Sequence, residues 1–310
     1  MKIVVVAPGG FDPSGRERVI PALLWLAEHL ARRHELHICV LEGAGAPGYE
    51  LLGARVHVLG PLRSPPGLRV ALLGRRLLAA LRAIGRPDLL HGFWAGTSGL
   101  LAGLAARRLG LPAVLSIGGG ELVWLPELAY GGRGTLRGRL QAALALRLAS
   151  TVTAGSSYAA QPLGGRPAEI VPLGVECGLF AAPAARAPGP PWRLLHVASI
   201  NRVKDQATLL RALRQLANCE PGVRLDWVGE DTLGGELQRM CSSLGLAKHV
   251  TFHGFVPSER VAPLYHQAHL LLHSSRHESQ AVVVSEAAAA GLPTVGTAVG
   301  VLAELAPEAA

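Results

Sequence analysis

The sequence predicts an α/β chain folded as two doubly wound domains facing a cleft. Three observations carry that expectation. Apolar, strand-like runs alternate with helical segments along the chain, the pattern of parallel sheets covered on both faces. The alternation pauses at a proline-rich stretch, APAARAPGPP (182–191), and then restarts. A length of 310 residues, 49% of them hydrophobic, is enough for two sizeable cores. The expected organisation is a first domain over 1–174, a linker over 175–191 and a second domain over 192–310.

The opening MKIVVVAPGG has too short an apolar run for a secretory leader and breaks at Pro8 into a glycine loop. It reads as a buried first strand and places the protein on the cytoplasmic side. The loop PGGFDPSGRERV (8–19) then leads into a helix beginning near Ser14, with helical patterning over about 19–33. ELHICVLE and ARVHVLG follow as strands, and a helix is expected over about 68–84. DLLHGF, a helix over 97–109, AVLSIG, a helix over 135–149, TVTAGS and EIVPLG complete the first domain. The second opens on RLLHVASI and the helix QATLLRALRQLA, then RLDWVGE, VTFHGF, HLLLHSS and PTVGTAV. In open α/β sheets ligands sit beyond the carboxyl ends of the strands at the switch point, so the ligand is expected in the cleft. The 38 glycines and 22 prolines fall as turn punctuation between apolar segments, which argues against disorder. Cys39, Cys177, Cys219 and Cys241 have neither metal nor redox spacing and read as small core residues. No apolar run reaches membrane-spanning length without a charge, a proline or a glycine cluster.

The densest polar information is in HESQAVVVSEAAAAGLPTVG (277–296), where Glu278 and Glu286 straddle what reads as the start of a helix. Two glutamates eight apart occur by chance in any helical protein and usually lie on a solvated face. The setting is what matters: a strand-like HLLLHSS before them, a small-residue helix EAAAAG after, and an exit through Gly291-Leu292-Pro293 into another strand. If the segment is mostly helical, eight residues advance about 12 Å and return to nearly the same face. Ser279, Gln280, Ala281 and Val282 would then offer backbone N–H groups at a helix mouth that favours an anion. A sugar, a diphosphate and a ribose in series fit this arrangement.

This segment resembles the E-x7-E signature of family 4 glycosyltransferases, enzymes of the GT-B fold with two Rossmann-like domains. The resemblance implies that Glu278 lies near the donor sugar and that Glu286 binds the nucleotide ribose. Further matches follow in the family's order: 87–114, GSSYAAQPL (155–163), IVPLGVECGLF (170–180) and 227–265. In the loop after RLLHVASI, a cation could balance a diphosphate and stabilise it as a leaving group. That loop is similar to the family's G-R-L-x-x-x-K-G, with Lys204 on the lysine, Ser199 on the arginine and Arg202 three positions later. The first loop is similar to G-G-x-E-R, with Ser14 in place of the first glycine and Gly15 carried over as donor-binding. In SIGGGELVW (116–124), Gly118 stands where the family often has a histidine, and Glu121 at its usual aspartate. Ala281 replaces a common glycine. The chain stops at Ala310, short of the family's further C-terminal structure, so the resemblance implies a second domain incomplete at that end.

The resemblance implies a retaining glycosyltransferase that moves a sugar from a nucleotide-diphosphate donor to a hydroxyl on a saccharide or lipid-linked acceptor. No cofactor is expected beyond the nucleotide sugar itself. No D-x-D pair, H-E-x-x-H or Ser-His-Asp constellation is present, so no metal is expected. Gly9, Gly10 and Gly15 miss the G-x-G-x-x-G spacing, which disfavours a nicotinamide enzyme. A noncatalytic sugar-nucleotide-binding or scaffold role is the second reading, motivated by Gly118 and the short C-terminus. His91, ending a strand in HGFW, is a candidate sugar or acceptor contact and equally a structural histidine; His277 has similar standing. His273 reads as structural.

Charge is uneven. Residues 1–175 hold 19 Lys and Arg against 10 Asp and Glu, a net of +9; residues 176–310 hold 11 against 12. The basic helical runs at 62–86 and 133–149 include Arg69, Arg75, Arg76, Arg82, Arg137 and Arg139. They fit peripheral binding to an anionic membrane surface and fit equally an ordinary layer helix with a solvated arginine face. Basic and aromatic residues are not interleaved as a stacking platform, so nucleic acid is not an expected partner.

Overall fold

The computed structural model describes residues 1–43, 47–62, 64–181 and 186–305. Contacts divide the chain into two compact units, Met1–Gly174 and Val175–Ala310. The first four residues of the proline-rich stretch 182–191, and the last five of the chain, lie outside the described residues.

Unit 1 runs β1 (Lys2–Ala7), α1 (Pro21–Ala31), β2 (Glu35–Val40), β3 (Gly48–Leu51), β4 (Ala54–Val58), α2 (Pro66–Ile84), β5 (Leu89–Phe93), α3 (Thr97–Leu109) and β6 (Ala113–Ile117). It ends with α4 (Leu136–Leu148), β7 (Thr151–Ala154), α5 (Ser157–Ala160) and β8 (Glu169–Ile170). The strands form one eight-stranded sheet in the order β3-β4-β2-β1-β5-β6-β7-β8, parallel except for β3 at its edge. Helices cover both faces of β1, which explains a strand apolar at every position from Ile3 to Ala7. Val4 and Val6 pack with Leu73, Leu77 and Leu81 of α2 and Leu101 and Ala105 of α3. Ile3, Val5 and Ala7 face the opposite layer, with Leu23, Leu24 and Ala27 of α1.

Unit 2 runs α6 (Cys177–Phe180), β9 (Arg193–Val197), α7 (Gln206–Cys219), β10 (Arg224–Val228), α8 (Glu236–Ser243) and β11 (Val250–Gly254). It continues with α9 (Ser258–Gln267), β12 (Leu270–His273), α10 (Val282–Ala289), β13 (Thr294–Gly296) and α11 (Leu302–Leu305). Its five strands are ordered β11-β10-β9-β12-β13, all parallel. The chain moves outward from β9 to β11, then returns to place β12 on the other side of β9. That reversal is a topological switch point, and the loops after β9 and β12 flank it. Leu194, Leu225 and Trp227 meet Leu209, Leu210 and Leu213 of α7 in the core of this unit.

Several expectations need correction. No helix begins at Ser14, because the side chains of this loop hold a turn: Asp12 accepts from the Ser14 N–H (3.0 Å), and Ser14 Oγ from those of Arg16 (3.2 Å) and Glu17 (3.0 Å). The helix starts at Pro21, whose missing N–H suits a first helical position. The edge strand β3 was absent from the expected order. Cys39 and Cys241 are buried as expected, whereas Cys177 and Cys219 are exposed, because they fall at the ends of α6 and α7 rather than on a packed face.

Candidate functional site

Two loops of unit 2 meet at the switch point. The loop after β9 tightens into a single turn over Arg202–Lys204, capped by the Asn201 side chain, which accepts from the Lys204 N–H (3.3 Å). The loop after β12 runs from Ser274 to Ala281. Three links join them across 70 to 74 residues of sequence. Ser274 Oγ donates to the Lys204 carbonyl (2.7 Å), the Arg276 N–H donates to the Val203 carbonyl (2.8 Å), and Lys204 Nζ forms an ion pair with Glu278 Oε1. Arg202, on the same turn, is exposed and makes no side-chain bond among the described residues. The turn therefore aims the lysine inward and the arginine outward.

Glu278 is the hub of this cluster. Its Oε1 also accepts from Ser275 Oγ (2.7 Å) and lies 3.4 Å from His273 Nε2. Burial alone would push its pKa up, but the imidazole of His273 and the ammonium of Lys204 win and hold it at about 2. Glu278 is therefore an anion throughout the neutral range. Neither His273 nor Ser275 was expected in the site. The signal available was position: His273 closes β12 and Ser275 follows in the loop at its carboxyl end, where this fold gathers its polar groups.

A buried network sets the first loop. Gln206 opens α7; its amide nitrogen donates to the Ser199 carbonyl (2.9 Å), and its amide oxygen accepts from the Asn201 N–H (3.3 Å). The same amide nitrogen lies 3.3 Å from His196 Nε2, while His196 Nδ1 is 2.8 Å from the Leu272 carbonyl. A carbonyl only accepts, so Nδ1 carries the proton and Nε2 accepts from Gln206. Burial pulls the His196 pKa down to about 4, consistent with this neutral ring. Gln206 and His196 thus tie the Lys204 loop to β9 and β12.

Only Val282–Ala289 is helical, so Glu278 and Glu286 do not share a continuous helix as expected. The break is at Ala281, a non-glycine residue in the left-handed region (φ 65°, ψ 64°). The N–H groups of Val282 and Val283, which open α10, have no carbonyl within the helix to bond, while that of Val284 donates to the Ala281 carbonyl (2.9 Å). Gly300 (φ 58°) lets a later loop press on this one, because a Cβ there would lie 2.7 Å from the Gln280 carbonyl oxygen. A Cβ in the left-handed region costs about 1–2 kcal/mol. Ala281→Gly is expected to stabilise the protein by up to about 1 kcal/mol once glycine's greater unfolded-state freedom is subtracted. A raised Tm checks this; a lowered one would show that burial of the methyl outweighs the strain.

Glu286 lies on α10, buried, with Oε2 accepting from Tyr265 Oη of α9 (2.6 Å). Burial raises its pKa, partly offset by that hydrogen bond. Tyr265, itself held protonated by burial and by Glu286, is a partner that sequence reading did not identify.

The remaining candidates lie in unit 1. Gly15 closes a turn, its N–H donating to the Asp12 carbonyl (2.9 Å) with φ 64°. His91, left open between a sugar or acceptor contact and a structural histidine, is hydrogen bonded within the sheet. Its Nε2 meets Ser116 Oγ (2.7 Å), which in turn meets Thr153 Oγ1 (2.6 Å), a chain across β5, β6 and β7. The ring stacks on Phe93, and burial takes its pKa down to about 4, which keeps the imidazole neutral. Glu121 Oε1 accepts from the N–H groups of Gly118 (3.0 Å) and Ala95 (3.3 Å), pinning together the loops after β5 and β6. Its carboxyl is raised in pKa by burial. His277 is buried beside Glu278. Among the described residues no group of three or more His, Cys, Asp or Glu could hold a metal.

Comparisons with known proteins bear on both units. Residues 23–179 match the model for Glycosyltransferase Family 4, and residues 181–309 that for Glycosyl transferases group 1. The chain is 31% identical over 279 residues to D-inositol 3-phosphate glycosyltransferase of Segniliparus rotundus, covering 80% of this chain and 61% of that protein. It is 30% identical over 287 residues to a GDP-mannose-dependent alpha-(1-6)-phosphatidylinositol monomannoside mannosyltransferase of Mycolicibacterium smegmatis, covering 86% and 73%. The chain thus spans about three fifths of the length of the first of these relatives. Among solved structures, sucrose-phosphate synthase from Thermosynechococcus elongatus superposes with TM-score 0.76 at 18% identity, covering 97% of this chain and 82% of that one. Anabaena HepE in complex with UDP and glucose gives 0.73 at 22%, covering 98% and 83%. At such identities the likeness is one of fold, the GT-B fold.

Proposed function

The chain belongs to the group 1, family 4 glycosyltransferases, and from that premise we propose that it moves a sugar from a nucleotide-diphosphate donor to a hydroxyl acceptor. The acceptor is a saccharide or a lipid-linked glycan, the anomeric configuration is retained, and no metal takes part. The observation that carries this reading is the meeting of Lys204 and Glu278 at the switch point of unit 2, next to the N-terminus of α10. A cation, an ionised carboxylate and a helix N-terminus in one place suit a ligand with a polyhydroxyl group at one end of a diphosphate. A relative named for GDP-mannose and a neighbour solved with UDP and glucose agree on the donor class and differ in base.

In this reading Lys204 and the first-turn N–H groups of α10, with Ser279, Gln280, Ala281 and Val282 forming the approach, take the diphosphate. Lys204 leaves Glu278 in part to do so, and Glu278 orients the donor sugar through its hydroxyls. As the glycosidic bond breaks, negative charge grows on the diphosphate, and the ammonium and helix dipole stabilise it. The departing phosphate oxygen takes the acceptor proton, so no protein nucleophile is required. Arg202, outward on its turn, is left a peripheral electrostatic role. Glu286 accepts from ribose hydroxyls with the oxygen that Tyr265 does not occupy.

Glu286→Gln keeps the shape and removes the charged acceptor, and a weakening of nucleotide-sugar binding by about 1.5–3 kcal/mol is expected. The pH dependence has a definite sign. Glu286 protonates at higher pH than an ordinary carboxyl, so wild-type affinity falls on acidification while that of Glu286→Gln stays flat; Glu278, at about 2, contributes nothing there. Calorimetric titration with UDP- or GDP-sugars checks both. Unchanged affinity in Glu286→Gln would remove this residue from the site. The reading also includes peripheral attachment to an anionic membrane through the basic unit 1; among the described residues no helix is long and apolar enough to cross a membrane.

A further inference from the structure

Helix α4 is built inside out compared with α2. On α2, Leu73, Leu77 and Leu81 are buried, and Arg75 and Arg82 face solvent, as a layer helix should be. On α4 the buried positions are Ala142 and Ala145, while Leu136, Leu140 and Leu144 are 72%, 55% and 49% exposed. A spacing of four drifts only about 40° per step around a helix, so these leucines form one continuous stripe. Trp124, 41% exposed, extends it: its indole lies against Gly134, next to the Thr135 cap of α4.

The surroundings of the stripe are basic without relief. Arg133, Arg137, Arg139 and Arg147 are all exposed, and no Asp or Glu occurs between Glu127 and Glu169. Arg133 and Arg139 are tied to carbonyls, of Pro162 (3.0 Å) and Arg133 (2.6 Å). Arg137 and Arg147 pair with no acid among the described residues. Exposed leucines and an indole bordered by unpaired guanidinium groups match the boundary between headgroups and acyl chains of a bilayer carrying negative charge. A second copy of the chain is a poorer occupant, since a symmetric contact would set arginines against arginines.

We propose that the exposed face of α4, with Trp124, docks this protein on an anionic lipid surface. This deepens the membrane part of the proposed function and moves it from α2, where Arg76 is engaged with the Leu59 carbonyl (2.6 Å), to α4. The test is co-sedimentation with phosphatidylcholine vesicles made with or without phosphatidylglycerol. Wild type should bind the anionic vesicles and leave the neutral ones largely free. Leu136→Gln/Leu140→Gln/Leu144→Gln should lower partitioning about tenfold or more with charge unchanged. Arg137→Gln/Arg147→Gln should lower it on anionic vesicles only, about fivefold per residue. Arg75→Gln/Arg82→Gln should have a smaller effect than either. All these side chains are exposed, so Tm and nucleotide-sugar affinity should stay at wild-type values, which separates this test from that of the transferase reading. Equal binding of wild type to both vesicle types, or wild-type binding by the triple leucine variant, would overturn the proposal. So would a wild-type dimer that the leucine substitutions convert to monomer.

Discussion

Lys204→Met is expected to lower turnover by a few hundredfold, with a smaller loss of donor affinity. In the proposed arrangement lysine's ammonium faces a diphosphate whose charge increases as the glycosidic bond opens, so its stabilisation is larger in the transition state than in the bound donor. Removing one preorganised electrostatic donor corresponds to about 3–4 kcal/mol. Methionine keeps most of the stem, but it also leaves Glu278 without its cation. Because both side chains are partly exposed, the resulting loss of stability should be well below that of breaking a fully buried pair. The double variant Lys204→Met/Glu278→Gln should recover part of that stability and none of the turnover. Arg202→Met is the matched comparison and should cost little. Wild-type turnover in Lys204→Met, with loss in Arg202→Met, would show that the arginine holds the phosphates and that the orientation of this turn changes on binding.

The second large effect is expected at Gln206, which touches no ligand in the proposed arrangement. Gln206→Leu leaves His196 Nε2, the Ser199 carbonyl and the Asn201 N–H without their partner. One buried group, His196 Nε2, at about 1–3 kcal/mol, and two partly exposed backbone groups that water can reach give a stability loss of about 2–3 kcal/mol. Function should suffer beyond that loss. The network holds the turn that aims Lys204, and a displacement of about 1 Å at a reacting group can cost about a hundredfold in rate. The expected signature is a kcat lowered at least tenfold per folded molecule, with KM for the donor less affected. A variant that is less stable but has unchanged kcat would reduce Gln206 to a structural role.

Much of this architecture was legible because apolar periodicity reports burial directly. KIVVVA reads as a central strand since a parallel sheet covered on both sides leaves no position for a polar residue. Helices α3 and α4 fall within a residue or so of the expected 97–109 and 135–149. Local chemistry that competes with periodicity was harder to read. Asp12 and Ser14 take the backbone N–H groups that a helix at Ser14 would have used, and β3 is too short to alternate visibly.

At the site, the identity of the charged groups was readable and their partners were not. Lys204 and Glu278 are 74 residues apart and meet only because β12 inserts beside β9. The bond of His196 to Leu272 arises from the same crossing, whereas Gln206, His273 and Ser275 act within ten residues of their partners, in loops whose shape no periodic pattern encodes, and Tyr265 reaches Glu286 from α9. The stripe on α4 shows the converse limit. Its spacing of leucines is what a buried face would show, and only packing reveals that the alanines are inside.

The central claim is that unit 2 takes a nucleotide sugar at the switch point beside Lys204, Glu278 and Glu286. The most direct measurement is thermal stabilisation of the purified chain by a panel of UDP-, GDP- and ADP-sugars, with Lys204→Met and Glu286→Gln run in parallel. A ligand that binds only the folded state raises Tm in proportion to its affinity. The account predicts a saturable rise with at least one base, diminished in both variants. No rise with any nucleotide sugar, or an undiminished rise in both variants, would contradict it.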